Sequence, residues 1–115
     1  MGLVRSFAFA IAGLRHLIRT QRNFRIELAV GGLVVVGGLW LGLDRGEWLA
    51  LTLTIALVLV LEAVNTAVEN AVTLASPAFS ERARVAKDVS AAAVLIAALA
   101  SVVVGALIFG SRLER

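Results

Sequence analysis

The 115-residue sequence contains no cysteine and no tyrosine, and only one proline and one histidine. The absence of cysteine excludes disulfide bonds and thiolate metal sites, and a single histidine excludes a site built from several histidines of one chain. Charged residues make up only 17% of the chain, whereas hydrophobic residues make up 60%. A soluble domain of this length cannot bury so much apolar surface, so the composition is typical of a helical membrane protein.

The apolar residues are gathered into three long segments that predict transmembrane helices at 26–43, 48–75 and 89–110. The first is short for a bilayer core about 30 Å thick, unless its polar end lies at the interface. Residues 1–25 mix apolar side chains with five arginines and predict an amphipathic helix on the membrane surface. A cleaved signal peptide is the less favoured alternative, because Arg15 ends the apolar stretch early. We expect residues 1–115 to form one all-α membrane domain.

The positive charges predict an orientation in the membrane. Residues 1–25 and the loop expected at 76–88 hold eight lysines and arginines, whereas the opposite side holds three. The positive-inside rule then places the N-terminus and this loop in the cytoplasm. The net charge of +3 is compatible with nucleic acid as a partner. However, the basic residues flank apolar runs, which favours a membrane surface instead.

Small residues recur at the spacing that allows transmembrane helices to approach closely. They form a GxxxG pair in the first segment and a stripe in the third, comprising Gly38 and Gly42, and Ala93, Ala97, Ser101 and Gly105. The alternative is that alanine and glycine are simply frequent in this chain. Since three short helices make a thin bundle, we expect a homo-oligomer.

The second segment carries a row of polar residues on an otherwise apolar helix. Positions i, i+3, i+4 and i+7 share one helical face, and this spacing is shown by Glu62, Asn65, Thr66 and Glu69. A charge at this depth costs at least about 2.5 kcal/mol, so intramembrane carboxylates are usually functional. The alternative is that both are protonated or bond across an oligomer interface.

Glu62 and Glu69 are expected to have separate roles. Seven residues of helix rise about 10 Å, which is too far for the two carboxylates of one chain to chelate the same ion. Glu69 lies nearer the predicted cytoplasmic end, where metal and nucleotide arrive, and Glu62 lies deeper, near the head group of a lipid.

A second polar pair, Lys87 and Asp88, precedes the third apolar segment. A lysine at this position can bind phosphate as a point charge. The alternative is a positive-inside anchor followed by an aspartate at a helix N-terminus, and position alone favours that alternative.

The stretches "NFRIE" at 23–27, "EAVNTAVE" at 62–69 and "AKDVSAAAVLIAA" at 86–98 resemble the small prokaryotic integral-membrane diacylglycerol kinases and undecaprenol kinases. "GLR" at 13–15 and the three-span layout extend this resemblance over nearly the whole chain. The resemblance implies a homotrimer that transfers the γ-phosphate of ATP, bound with Mg²⁺, to a lipid hydroxyl at the cytoplasmic face.

The resemblance also implies roles for individual residues. Glu62 would be the general base on the lipid hydroxyl, with Asn65 positioning groups in the site. Glu69 would bind Mg²⁺ and nucleotide, together with Gln21, and Lys87 and Asp88 would contact the nucleotide phosphates. The lipid would be bound by Glu62 and by residues of the first two helices, namely Arg15, Asn23, Phe24, Arg25, Ile26, Glu27 and Trp40.

The sequence departs from the family pattern at several of these positions. Gln21 replaces a second metal-binding glutamate, and an amide binds Mg²⁺ more weakly than a carboxylate. Thr73 stands where the family often has aspartate, and residues 78–80 read Ala-Phe-Ser where it often has Glu-Tyr-His. We favour an active kinase, with a degenerate member as the alternative. Glu27 replaces a histidine typical of undecaprenol kinases, and we favour undecaprenol over diacylglycerol as the lipid.

Two other classes of protein compete with a lipid kinase. Small multidrug exporters have a similar length and an essential membrane glutamate, but they carry it in the first of four spans. A structural membrane subunit would need neither Glu62 nor Glu69. No GxxxxGK[ST] loop or glycine-rich kinase loop is present, so an ATP site has to be assembled from helices and loops, plausibly between two chains.

Overall fold

The computed structural model describes residues 2–114, which form four helices joined by short connections. The helices are α1 (Leu3–Thr20), α2 (Arg22–Leu41), α3 (Arg45–Ala75) and α4 (Glu81–Leu113). No strand occurs within this range, which confirms the all-α class. The helices α2, α3 and α4 are each long and apolar enough to cross a membrane. Most large apolar side chains point outward, as expected for a surface that faces lipid.

The amphipathic first helix ends earlier than expected. Gln21 has an extended backbone (φ −110°, ψ 103°) that separates α1 from α2, so α2 begins at Arg22 and not after residue 25. Arg25 stabilises this corner, because its Nη1 donates hydrogen bonds to the backbone oxygens of Ile18 (2.8 Å) and Arg19 (3.3 Å). These carbonyls belong to the last turn of α1, which has no helical donors of its own.

The connection between α3 and α4 is shorter than the loop expected at 76–88. The Ser80 hydroxyl accepts a hydrogen bond from the backbone N–H of Ala83 and begins α4, so only residues 76–80 are non-helical. Asp88 therefore lies two turns inside α4, and the alternative that it caps a helix N-terminus is wrong. The two helices form an antiparallel hairpin and pack against each other more extensively than any other pair.

The opposite end of this hairpin is closed by a capping box and an ion pair. The Asp44 carboxylate accepts from the Glu47 N–H (2.8 Å), and the Glu47 carboxylate accepts from the Asp44 N–H (3.0 Å). Arg112, near the end of α4, donates from Nε to both Glu47 oxygens at 3.0 and 3.1 Å. The pair joins the start of α3 to the end of α4 above a small apolar core of Leu43, Leu51 and Ile108.

The two glycines of the GxxxG pair have different structural roles. A Cβ on Gly38 would lie 2.8 Å from both the Leu43 and Trp48 side chains, so this glycine permits close packing within the chain. Gly42 ends α2 with φ at +69°, and a Cβ there would meet nothing within 4 Å. Gly42 is therefore a helix cap that requires a left-handed conformation.

Candidate active site

The polar row of α3 (Glu62, Asn65, Thr66 and Glu69) faces the interior of the bundle. Glu62 and Thr66 are each only 6% exposed, and they are the buried polar residues of the described chain. Asn65 and Glu69 are half-buried. Because the outer surface is apolar, this burial shows that the row is turned towards other helices and away from the surface that faces lipid.

The Glu62 carboxylate accepts no hydrogen bond from the side chains of the described residues. The Thr66 hydroxyl bonds the backbone oxygen of Glu62 at 3.0 Å. Glu27, on α2, is half-buried, so α2 and α3 each turn one acidic side chain away from the outer surface.

Asn65 connects this row to Glu69 and leaves one atom without a partner. Its Nδ2 donates to Glu69 Oε1 at 3.2 Å. Its Oδ1 is buried and accepts no hydrogen bond from residues 2–114. Since buried amide oxygens are usually hydrogen-bonded, this atom indicates a missing ligand or a neighbouring chain.

The row continues to a cavity at the α3–α4 connection. Thr73 lies four residues after Glu69 on the same face, about 6 Å further along the axis. Lys87, on α4, donates from Nζ to Thr73 Oγ1 at 2.9 Å. Both residues line a cavity of about 300 Å³, the loop cavity, whose other walls are residues 76–80, Ala83 and Arg84.

The depth of these groups follows from helix length. About 20 helical residues span a bilayer core of about 30 Å, and counted from Trp48 they reach Ala67. A layer that starts at Trp48 would enclose Glu62 and would leave Glu69, Thr73 and the loop cavity at or beyond its edge. Glu62 lies near the middle of α3, whereas the loop cavity lies at the end of this helix.

Two apolar cavities lie along the part of α3 that precedes and adjoins Glu62. The Glu27 cavity, of about 390 Å³, lies between α2, α3 and α4 and is lined by Glu27, Val58, Ser101, Gly105 and other small or apolar residues. Val58 lies one helical turn from Glu62. A second cavity, of about 360 Å³, lies between the first three helices and is lined by Phe24 and apolar side chains.

Four residues expected to bind the lipid have exposed side chains. Trp40 is 83% exposed near the far end of α2, about 20 Å along the helix from Glu27. Arg15, Asn23 and Ile26 are exposed. These four side chains therefore lie on the outer surface of the chain, and their contact with lipid stays a prediction.

Three more expected residues make local contacts. Arg25 bonds the end of α1. Gln21 Nε2 donates to Thr20 Oγ1 at 3.2 Å, and Asp88 pairs with Arg84 at 2.6 Å.

Sequence reasoning missed the partners of several charged residues, both within α4 and between α3 and α4. Arg84 bonds both Glu81 and Asp88, a pattern that their spacing of three and four residues could have revealed. The pairing of Arg112 with Glu47, 65 residues apart, and that of Lys87 with Thr73 depend on how α3 and α4 align. No local spacing signals such contacts.

The arrangement is that of a helical membrane protein with three candidate spans, a buried glutamate on the second span and a cavity with two basic side chains at the end of that helix. Residues 8–109 match the sequence family described as prokaryotic diacylglycerol kinase. The chain therefore belongs to the prokaryotic diacylglycerol kinase family, which confirms the resemblance drawn from its motifs.

Individual relatives agree with this family. The chain is 43% identical over 104 residues to a diacylglycerol kinase of Synechocystis, an alignment that covers 90% of this chain and 59% of the relative. It is 36% identical over 105 residues to the undecaprenol kinase of Bacillus subtilis, covering 91% and 85%. It is 29% identical over 109 residues to the diacylglycerol kinase of Escherichia coli K12, covering 95% and 89%. All three relatives are named as kinases.

Proposed function

We propose that the chain is an active lipid kinase that transfers the γ-phosphate of ATP to a hydroxyl of undecaprenol or diacylglycerol. The observation that carries this proposal is the polar face of α3, which runs from buried Glu62 past the bonded pair Asn65 and Glu69 to the end of the helix, where Lys87 meets it at the loop cavity. In the proposed orientation the Glu62 end lies at lipid depth and the loop cavity lies in reach of water. A reaction between a membrane lipid and a water-soluble nucleotide needs both.

Glu62 is the proposed general base. Its carboxylate is removed from water and has no donor within residues 2–114, so it is a strong proton acceptor. Glu62 takes the proton of the lipid hydroxyl as this oxygen forms a bond to the γ-phosphorus. The bond from this phosphorus to the bridging oxygen breaks, and ADP leaves with its electrons. Phosphoryl transfer of this kind depends on positioning and charge more than on covalent catalysis by the protein.

Glu69 and Asn65 are the proposed magnesium ligands. No three histidine, cysteine or acidic side chains of the described range converge on one point. However, the unpartnered Oδ1 of Asn65 and the carboxylate of Glu69 are hard oxygen donors, and Mg²⁺ often binds few protein ligands and keeps waters and phosphate oxygens. When bound, Mg²⁺ would neutralise charge on the phosphates. Gln21 would add at most a weaker amide ligand.

The loop cavity is the proposed site of the nucleotide phosphates, with Lys87 as the cation that meets them. Asp88 is paired with Arg84 and is assigned an indirect role, since its charge is already compensated. The Glu27 cavity is the proposed site of the lipid chain. It is apolar along most of its length and carries a carboxylate, which suits an amphiphile whose hydroxyl end approaches Glu62.

Assembly and orientation form part of the same proposal. The thin bundle supports a homotrimer in which a neighbouring chain completes the site. The excess of basic residues in α1 and near the loop cavity supports a cytoplasmic N-terminus in a bacterial inner membrane. Because the chain has no cysteine, single cysteines at Ala78 and at Arg45 would report this orientation through labelling by a membrane-impermeant thiol reagent.

The test is transfer of labelled γ-phosphate from Mg-ATP to undecaprenol and to diacylglycerol by the purified chain in lipid-containing detergent. The wild type should label at least one of the two lipids. Glu62→Gln should label neither, and Glu114→Gln, the same change at an exposed acid, should match the wild type. A folded wild type that labels neither lipid would contradict the proposal and favour a degenerate member. Efflux from vesicles without ATP would favour a transporter.

The lipid site has its own matched pair of variants. Gly105 lines the Glu27 cavity, and a Cβ there would meet nothing within 4 Å, so Gly105→Leu fills the cavity without a clash at this atom. Gly110 is equally unobstructed but does not line that cavity. Gly105→Leu should raise the KM for lipid, and Gly110→Leu should leave it unchanged. Equal effects of the two variants would place the lipid elsewhere.

A further inference from the structure

We infer that Thr73 is a positioning residue, whose hydroxyl holds the Lys87 ammonium at the loop cavity for the phosphates of the nucleotide. This inference rests on the proposed function, and it gives a role to a residue that departs from the family pattern. The contact joins side chains 14 residues apart on two different helices, from Lys87 Nζ to Thr73 Oγ1 at 2.9 Å. It therefore fixes where the lysine head group lies relative to α3.

Lys87 forms no ion pair within the described residues. Within residues 2–114, no carboxylate oxygen lies within 4.0 Å of its ammonium group, and its hydrogen-bond partner is a neutral hydroxyl. An ammonium group has three donors, so two remain after Thr73 is bonded. Lys87 thus enters the loop cavity as an oriented cation whose charge is not neutralised by the protein.

The other cation of the loop cavity is compensated. Arg84 also lines this cavity, but its guanidinium bonds both Glu81 and Asp88 on its own helix. An incoming phosphate would have to compete with these two carboxylates for Arg84. Lys87 is therefore the cation that an anionic ligand meets without displacing an ion pair.

The consequence for this chain concerns the identity of residue 73. A lysine side chain has four rotatable bonds, and holding it in one place has an entropic cost for any ligand that must order it on binding. The Thr73 hydroxyl orders Lys87 in advance without adding a negative charge beside the phosphates. Loss of the hydroxyl should therefore weaken nucleotide binding only because Lys87 is no longer ordered.

The test compares Thr73→Val, which removes the hydroxyl at nearly constant volume, with Thr73→Ser, which keeps it. Thr52→Val makes the same change as the first variant at an exposed position of the same helix. Equilibrium binding of Mg-ATP to each purified protein is measured first, followed by kinetics of phosphate transfer to lipid. Elution of the oligomer in detergent confirms that each variant is folded.

Thr73→Val should weaken ATP binding about 2- to 12-fold, as expected when the ligand has to order one long side chain on binding. Thr73→Ser should restore binding to within about twofold, and Thr52→Val should have no effect. The KM for ATP should rise with the dissociation constant, whereas the KM for lipid stays unchanged. In a Lys87→Met background, Thr73→Val should cause no further loss, because the hydroxyl acts through the lysine.

Three results would overturn the inference: unchanged ATP binding in Thr73→Val, equal losses in Thr73→Val and Thr73→Ser, or a loss that persists in the Lys87→Met background. These outcomes differ from a failure of the proposed function. A wild type that binds ATP but transfers no phosphate contradicts the kinase and leaves the role of Thr73 to be decided by binding alone. A folded wild type that binds no ATP overturns both.

Discussion

Replacing Asn65 with leucine should lower kinase activity while leaving the folded chain as stable as before, or more stable. The Asn65 amide donates to Glu69 at 3.2 Å, and its Oδ1 is buried without a donor from the described residues. A hydrogen bond to a charged group is worth about 1.5–3 kcal/mol, so losing the Glu69 contact should reduce kcat/KM about 10- to 150-fold. A buried acceptor without a partner costs about 1–3 kcal/mol, and leucine removes this cost.

The opposite signs of these two effects make the prediction specific. Activity is measured as γ-phosphate transfer to lipid, and stability as the midpoint of thermal unfolding in the same detergent, without nucleotide or metal. Asn70→Leu, at an exposed position five residues further on, is the matched control and should change kcat/KM less than about threefold. If Asn65→Leu lowers the unfolding midpoint clearly while kcat/KM is unchanged, Asn65 is a structural residue whose oxygen bonds a neighbouring chain.

Three further predictions concern the scaffold. Gly38→Ala should be less stable than Gly32→Ala by about 1–3 kcal/mol in detergent unfolding. The added methyl group would lie 2.8 Å from Leu43 and Trp48 at position 38, whereas at position 32 it would meet nothing within 4 Å. Equal stabilities of the two variants would contradict this packing. Glu47→Gln should lower the unfolding midpoint, since it weakens the ion pair with Arg112, but should leave the KM for ATP unchanged because the pair lies at the opposite end of the hairpin from the loop cavity. Arg25→Ala should make α1 more sensitive to limited proteolysis than Arg22→Ala does, since only Arg25 bonds the last carbonyls of α1; identical digestion rates would rule out this anchoring role.

Much of the architecture could be predicted from the sequence, because transmembrane helices are specified by long apolar runs. The second span was expected to end at residue 75, and α3 ends at Ala75. The errors lie where capping decides the boundary. The charged stretch after Ser80 was predicted as loop, but the serine cap and the contacts of Arg84 with Glu81 and Asp88 support helix there. The break between α1 and α2 lies at Gln21, whose backbone is extended, and neither glycine nor proline stands beside it to predict a turn.

The candidate site was predictable only where its residues share one helix. Periodicity placed Glu62, Asn65 and Glu69 on one face, and the structure places them there, with Glu62 buried. Contacts between helices depend on axial alignment, so the bond from Lys87 to Thr73 could not be read from spacing. Trp40 was expected beside the lipid on the basis of resemblance alone; it lies exposed near the far end of α2, and its contact with lipid stays a prediction.

The central claim is that Glu62 acts on the lipid hydroxyl and does not hold the nucleotide. The most direct measurement determines kcat for phosphate transfer and the dissociation constant for Mg-ATP in the wild type and in Glu62→Gln. A general base contributes about 10²- to 10⁴-fold, so kcat should fall by this factor while the dissociation constant changes less than about twofold. An unchanged kcat, or a loss of ATP binding as large as the loss of kcat, would contradict the claim.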